Sequence, residues 1–326
     1  MKLERKLVPN TQKCALVRPA TVLTVSLLNS VLACSPITEP EGARKEFGLV
    51  SAGPSIEGVW TLVEREIRGG PNPRVESGSQ IQPSLLIYTE RYVMWAFVTG
   101  TEPRPADATN SDAARHYVSA GAAYDLDGST LRYHRFVSLH PRAMLRGNQP
   151  LVRELVALTA TSLETSGTNA DGVTLILRYT RLRQGGNDSD NGLSPDHPIE
   201  GVWTLVAKEI RGGPNPRVEF GSQIQPSLLV YSEGYVMWAF VTGSEPRRAD
   251  ATIGDAARHY ASAGADYELD GSTLRYHRFV SLHPRAMLPE NQPLVRELVA
   301  LTATSLETSG TNADGVTLIL RYTRLE

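Results

Sequence analysis

The feature that most restricts the fold of this chain is an internal duplication. Ile56-Glu57-Gly58-Val59-Trp60-Thr61-Leu62-Val63 recurs as Ile199-Glu200-Gly201-Val202-Trp203-Thr204-Leu205-Val206, and the correspondence continues without a gap, at an offset of 143, as far as Leu182 and Leu325. Only about 15 of roughly 127 positions differ. Solenoid units run to roughly 20–50 residues, so a repeat of this length is a duplicated domain, and each copy must bury a core of its own. Near-identity copies irrelevant residues along with useful ones, so a match between the copies carries no functional weight.

The duplication divides the chain into residues 1–33, a leader; 34–55, a tether; 56–182, the first domain; 183–198, a linker; and 199–326, the second domain. The linker, Arg183 to Pro198, is rich in Gly, Asn, Asp, Ser and Pro and nearly free of apolar residues, a composition that cannot support a core. The copies are therefore expected as beads on a string, free or packed together. A net charge of -2 supplies no basic field for phosphate backbones, which argues against nucleic acid as a partner. Both cysteines, Cys14 and Cys34, precede the first domain. That leaves the domains without a disulfide framework, a thiolate metal site or a cysteine nucleophile.

Residues 1–19 carry five basic side chains, and Ala20 to Ala33 forms a mildly apolar run too short to span a bilayer. This is the order of an export signal. The run ends in Val31-Leu32-Ala33-Cys34, which resembles the lipobox of bacterial lipoproteins, although Leu32 is bulky for its position and Asn29 interrupts the run. The resemblance implies a fatty-acyl (palmitate-type) membrane anchor on Cys34 and a place in the bacterial cell envelope. Ser35 in the next position favours the outer membrane if the cell is Gram-negative. An ordinary signal with an incidental cysteine would instead give a secreted or periplasmic protein.

Within one copy, period-two or short apolar runs bounded by turn residues mark about eight strands: Glu57–Ile67, Pro83–Thr89, Tyr92–Thr99, Ala122–Leu126, Thr130–Leu139, Leu151–Leu158, Ser162–Ser166 and Val173–Leu182. Asp127-Gly128 is a hairpin turn. In the second copy Asp266, Glu268 and Asp270 alternate with Tyr267 and Leu269, which turns Tyr267 inward, and its twin is Tyr124. Thr109-Asn110-Ser111-Asp112 has the form of a capping box and opens one short helix, with Gly121 as the expected stop. The fold class is all-β: two small antiparallel barrels of about eight strands, each with one short helix over an end, since closure removes exposed edges. An open sandwich is the alternative.

Gly58-Val59-Trp60 matches the G-x-W that opens lipocalins. Further along come Leu86-Ile87-Tyr88-Thr89 with Tyr92, Tyr124 with Leu126-Asp127-Gly128, His134 with Ser138-Leu139 and Pro141, and Gln149 followed by Arg153. Together these resemble the lipocalin-like domains of bacteria and fungi, and the resemblance spans each copy. It implies a calycin-type barrel with an interior cavity, and most members of that family have no assigned activity. Phe136 and Phe279 stand where the family commonly has an acid, which weakens any acid–base role borrowed from it.

The resemblance also implies that Trp60 and Trp203 plug the closed end of each barrel beneath an arginine, with Arg178 and Arg181 the candidates in the first copy. Trp95 and Trp238 share a strand face with Phe97 and Phe240, as pocket wall or as ordinary core. His134, placed by period two on one face with Phe136, Ser138 and His140, either orients a ligand or faces solvent. Four residues of strand separate it from Ser138 by roughly 13 Å, which excludes a nucleophile pair within the strand. Arg153, in an otherwise apolar strand, would select a carboxylate or carbonyl ligand if it points inward. The candidate ligand-binding residues are Tyr88, Trp95, Tyr124, His134 and Arg153 in the first copy, and Tyr231, Trp238, Tyr267, His277 and Arg296 in the second. No metal set, cofactor motif or catalytic constellation is discernible. The expected function is an envelope protein that binds a small apolar molecule in each barrel. An isomerase or hydrolase using the barrel histidine, or a structural envelope module, is the alternative.

Overall fold

The computed structural model describes residues 54–182, 198–243 and 247–326. The segment read as an export signal, Cys34 and nearly all of the segments read as tether and linker lie outside the described residues.

The first copy runs β1 (Gly58–Arg68), β2 (Arg74–Ser77), β3 (Ser84–Tyr88), β4 (Tyr92–Val98), α1 (Asn110–Arg115), β5 (Tyr117–Asp127), β6 (Thr130–Ser138), β7 (Leu151–Leu158), β8 (Ser162–Thr168) and β9 (Thr174–Arg181). From β3 to β9 each strand pairs antiparallel with the next, and β1 pairs with β3 at one edge and β9 at the other. Eight strands thus close into a barrel. The second copy repeats this order as β10 (Gly201–Arg211), β11 (Arg217–Phe220), β12 (Ser227–Ser232), β13 (Tyr235–Val241), α2 (Ile253–Arg258), β14 (Tyr260–Asp270), β15 (Thr273–Ser281), β16 (Leu294–Leu301), β17 (Ser305–Thr311) and β18 (Thr317–Arg324), closed by β10 on β18. The expected all-β pair of barrels is the observed fold.

Two elements depart from the sequence reading. The ninth strand, β2, holds a single apolar residue, Val75, and pairs only with Glu64–Ile67 of β1, beyond the segment that β3 covers. Ion pairs fasten it instead: Glu76, buried, accepts from Arg65 and, at 2.7 Å, from Arg74. The helix also ends earlier than Gly121. Thr109 caps it by accepting from the Asp112 amide at 3.2 Å, but it closes at Arg115, because Tyr117 already pairs with Val98 in the sheet. Gly121 lies within β5. A Cβ there would sit 2.8 Å from Leu228 Cδ2 and 2.9 Å from Val137 Cγ1, so glycine is what lets the second barrel approach.

That approach explains the unbroken apolar runs of β3 and β4. Along β3, Leu86 and Tyr88 point into the barrel while Leu85 and Ile87 point out, and all four are buried. The outward set meets its own equivalents, Leu228 and Val230, in a third hydrophobic cluster shared by both copies. Every buried member of that cluster has its 143-offset twin in it, the mark of an isologous contact. Near its centre Ser119 Oγ and Ser262 Oγ lie 2.7 Å apart, flanked by Tyr117 Oη at 3.1 Å from Ser262 Oγ and Tyr260 Oη at 3.3 Å from Ser119 Oγ. Arg104 lies over the Tyr117 ring and donates to the Ser281 and Leu282 carbonyls. Arg247 lies over Tyr260 and donates to those of Ser138 and Leu139. Helices α1 and α2 pack against one another, rather than each only against its own barrel. The barrels are therefore docked face to face, each with its own interior core.

Candidate functional site

Each barrel interior is plugged at one end. The indole of Trp60, fully buried, donates to the Ile56 carbonyl at 2.9 Å, and the Arg181 guanidinium lies 4.4 Å from the ring centroid. Gly58, at φ +123°, leaves the space that the Arg181 side chain occupies. Trp203 and Arg324 repeat the arrangement at 4.1 Å. Of the two arginines the sequence offered, Arg181 is the cap. Arg178 is engaged elsewhere, with Glu64, Glu66 and Glu164.

Beyond the plug the first barrel encloses a cavity of about 210 Å³, walled by Leu86, Trp95, Phe97 and Leu177 and by the rings of Tyr88, Tyr133 and Tyr179. Its polar lining, beyond the tyrosines, comprises Arg65, Thr99, Arg135, Ser138, His140, Arg153 and Thr165, with no Asp or Glu. The second barrel keeps a smaller cavity of about 60 Å³, lined by Tyr231, Trp238, Phe240, Tyr276, Arg296 and Tyr322 among others. Tyr88 Oη and Tyr133 Oη are 2.6 Å apart, and Tyr231 Oη and Tyr276 Oη 2.7 Å. Burial raises the pKa values of all four hydroxyls, which stay protonated as donors at neutral pH.

The structure sorts the sequence candidates into three groups. Tyr88, Trp95 and Arg153 line the first cavity, and Tyr231, Trp238 and Arg296 line the second. Tyr124 and Tyr267 stand behind this wall. Their rings meet Tyr88 and Tyr231 edge-on at 5.1 and 4.9 Å, and their hydroxyls donate to the Thr89 carbonyl and to Glu200, each at 2.8 Å. His134 and His277 are on the outside. The His134 side chain is 55% exposed and lies 3.2 Å from Asp125 Oδ2, while His277 lies 3.9 Å from Glu268 Oε1.

The common face proposed for His134, Phe136, Ser138 and His140 fails because β6 carries a bulge. Opposite it, Gly121 pairs with Val137 but Ala122 with Arg135, which leaves Phe136 as the extra residue. One inserted residue reverses the alternation beyond it. Leu131, Tyr133 and Arg135 therefore point inward before the bulge and Ser138 after it, while Val137 and Leu139 join the inter-barrel cluster. The cavity's histidine is thus His140, whose pKa burial lowers despite a hydrogen bond to the Tyr117 backbone. Tyr133 and Arg135 were recoverable from the alternation with Leu131. Ser138 and His140 were not, since nothing in the local sequence announces the bulge.

Arg153 points inward, as strict alternation on β7 requires with Val152 and Glu154 exposed. Its Nη1 is buried without a hydrogen-bond partner, and so is Nη1 of Arg296. Among the described residues no three His, Cys, Asp or Glu side chains gather as a metal set.

No family model matches the chain, nor does any curated protein. Among solved structures, a lipocalin-like protein from Bacteroides uniformis aligns at 12% identity over 38% of this chain and 97% of its own, with a TM-score of 0.24. A protein of unknown function from Nostoc punctiforme aligns at 10% identity over 83% and 96%, with a TM-score of 0.20. An uncharacterized protein from Saccharomyces cerevisiae aligns at 7% identity over 82% and 97%, with a TM-score of 0.44. The lipocalin-like character of each barrel is written in its own build: a closed eight-stranded antiparallel meander, opened by Gly-x-Trp and plugged by that tryptophan under an arginine.

Proposed function

We propose that this chain is a binding protein of the bacterial cell envelope whose barrels each hold a small, largely apolar ligand with its polar end at Arg153 or Arg296. The carrying observation is the buried, unpartnered guanidinium nitrogen of Arg153 at a cavity walled largely by aromatic and aliphatic side chains, repeated at Arg296. An unpaired buried donor on a charged group is costly, and a ligand acceptor would satisfy it. The aromatic walls supply the apolar contact and the protonated tyrosine pairs additional donors. The envelope location and the lipid on Cys34 are supported by Val31-Leu32-Ala33-Cys34 behind a basic, then apolar, leader.

Native mass spectrometry of the full chain, purified from its own cells and then denatured, tests the reading by releasing and identifying any bound molecule. An R153M/R296M variant should emerge empty. A chain that carries nothing, and whose melting temperature is unmoved by a panel of lipids and metabolites, would overturn the binding reading. A Cys34→Ser variant should leave the membrane fraction, whereas retention there would refute the anchor.

A further inference from the structure

Arg153 is not the only arginine in the cavity with an unmet donor. Arg135, the last inward residue before the β6 bulge, lines the same cavity, and its buried Nε has no hydrogen-bond partner. Its other donors are partly engaged, one with the Asn148 carbonyl. A third lining arginine, Arg65, is ion-paired with Glu76, which Arg74 shares. Since no carboxylate lines the cavity, Arg135 and Arg153 together leave two positive charges uncompensated in a largely apolar space. In the second barrel Arg278 Nε and Arg296 Nη1 are likewise buried and unpartnered, but only Arg296 lines the smaller cavity there.

Resting on the binding reading above, we infer that the head group the first barrel takes is a compact dianion, held between Arg135 and Arg153. A monoanion would discharge one guanidinium and leave the other buried and unmatched, which is the costly state. Two charges on one group match both, and guanidinium forks suit such oxygens. The hydroxyls of Ser138 and Thr165 and the ring of His140 line the same cavity, adding neutral hydrogen-bonding groups around the charge. An alkyl phosphomonoester fits this description, with its chain against Trp95 and Phe97; a branched dicarboxylate shares the chemistry.

The test is isothermal titration of the full chain at pH 8 with octyl phosphate, octylmalonate, octanoate and octanol. These present two, two, one and no negative charges on alkyl chains that differ by at most one methylene, the second phosphate ionisation lying near pH 6. The inference expects both dianions to bind roughly 10- to 100-fold more tightly than octanoate, the difference one further charge-assisted contact makes. An R135Q variant should lose most of that preference, so that its affinities for octyl phosphate and octanoate converge. Equal binding of octanoate and octyl phosphate, with the variant weakening both alike, would overturn the dianion and leave the binding reading standing. If none of the four ligands binds, the dianion inference falls, while the binding reading is decided separately by the native mass spectrometry above. Phosphate binding without malonate binding would narrow the class to phosphomonoesters.

Discussion

Gly121→Ala is the substitution whose sign best tests the docked arrangement of the barrels. In a strand, replacing glycine by alanine ordinarily stabilises, by about 0.4–1 kcal/mol, through reduced freedom of the unfolded chain. Here the new methyl would lie 2.8 Å from Leu228 Cδ2, 3.2 Å from Leu228 Cβ and 2.9 Å from Val137 Cγ1. Both neighbours are fully buried, and valine is stiff at χ1, so neither yields cheaply. Overpacking of this kind costs about 1–3 kcal/mol, so the net expectation is a loss of about 1–2 kcal/mol. For a folded unit of this size that is a fall in melting temperature of roughly 2–8 °C. The natural control is Gly147→Ala, where a Cβ meets nothing within 4 Å and the ordinary small gain should appear. Calorimetry on both variants decides the matter. If Gly121→Ala is as stabilising as Gly147→Ala, then Leu228 is not packed against β5, and the face-to-face docking is refuted.

Other consequences are separable. Arg181→Ala removes the cation over Trp60 and its bond to the Ser55 carbonyl, and should cost about 1–2 kcal/mol in urea unfolding; no change would mean that the arginine is incidental to the plug. Ser119→Ala should cost about 0.5–1.5 kcal/mol by removing one of the two hydroxyl partners of Ser262, Tyr117 remaining. Adding Ser262→Ala should cost clearly less than a second such step, and simple additivity would deny the contact. Burial lowers the pKa values of His140 and His283 below the ordinary 6.5. The unfolded chain then takes up protons first, so stability is full above about pH 6.5 and declines as pH falls toward the depressed folded values. His140→Asn with His283→Asn should flatten that decline in chemical unfolding followed between pH 7 and 5; an unchanged slope would place its origin elsewhere.

How much of the site the sequence disclosed depended on whether local alternation survived into the fold. For Arg153 the sequence left inward and outward both open; the structure turns it inward, on a β7 that alternates without interruption as far as Leu155. His134 was misplaced because its grouping with Ser138 and His140 ran across a bulge. A bulge is a response to curvature and closure of the whole sheet, so its position is not encoded in the neighbouring residue types. Tyr124 and Tyr267 were correctly assigned inward-leaning positions, yet the tyrosines that reach the cavity beside Arg153 are their neighbours Tyr88 and Tyr133, brought together from strands 45 residues apart.

What the sequence alone determined was the duplication, the all-β class and nearly every closing strand, because these follow from repetition and from side-chain period, both properties of neighbouring residues. It also recorded that β3 and β4 are apolar on both faces, without saying what covers the outer one. Only the tertiary structure decided that, by setting each barrel against its twin across Ser119 and Ser262, with Gly121 and Gly264 making the room. The same holds for the cavity: whether two arginines at positions 135 and 153 share one unneutralised space depends on which way a bulged strand turns, a choice made by long-range closure.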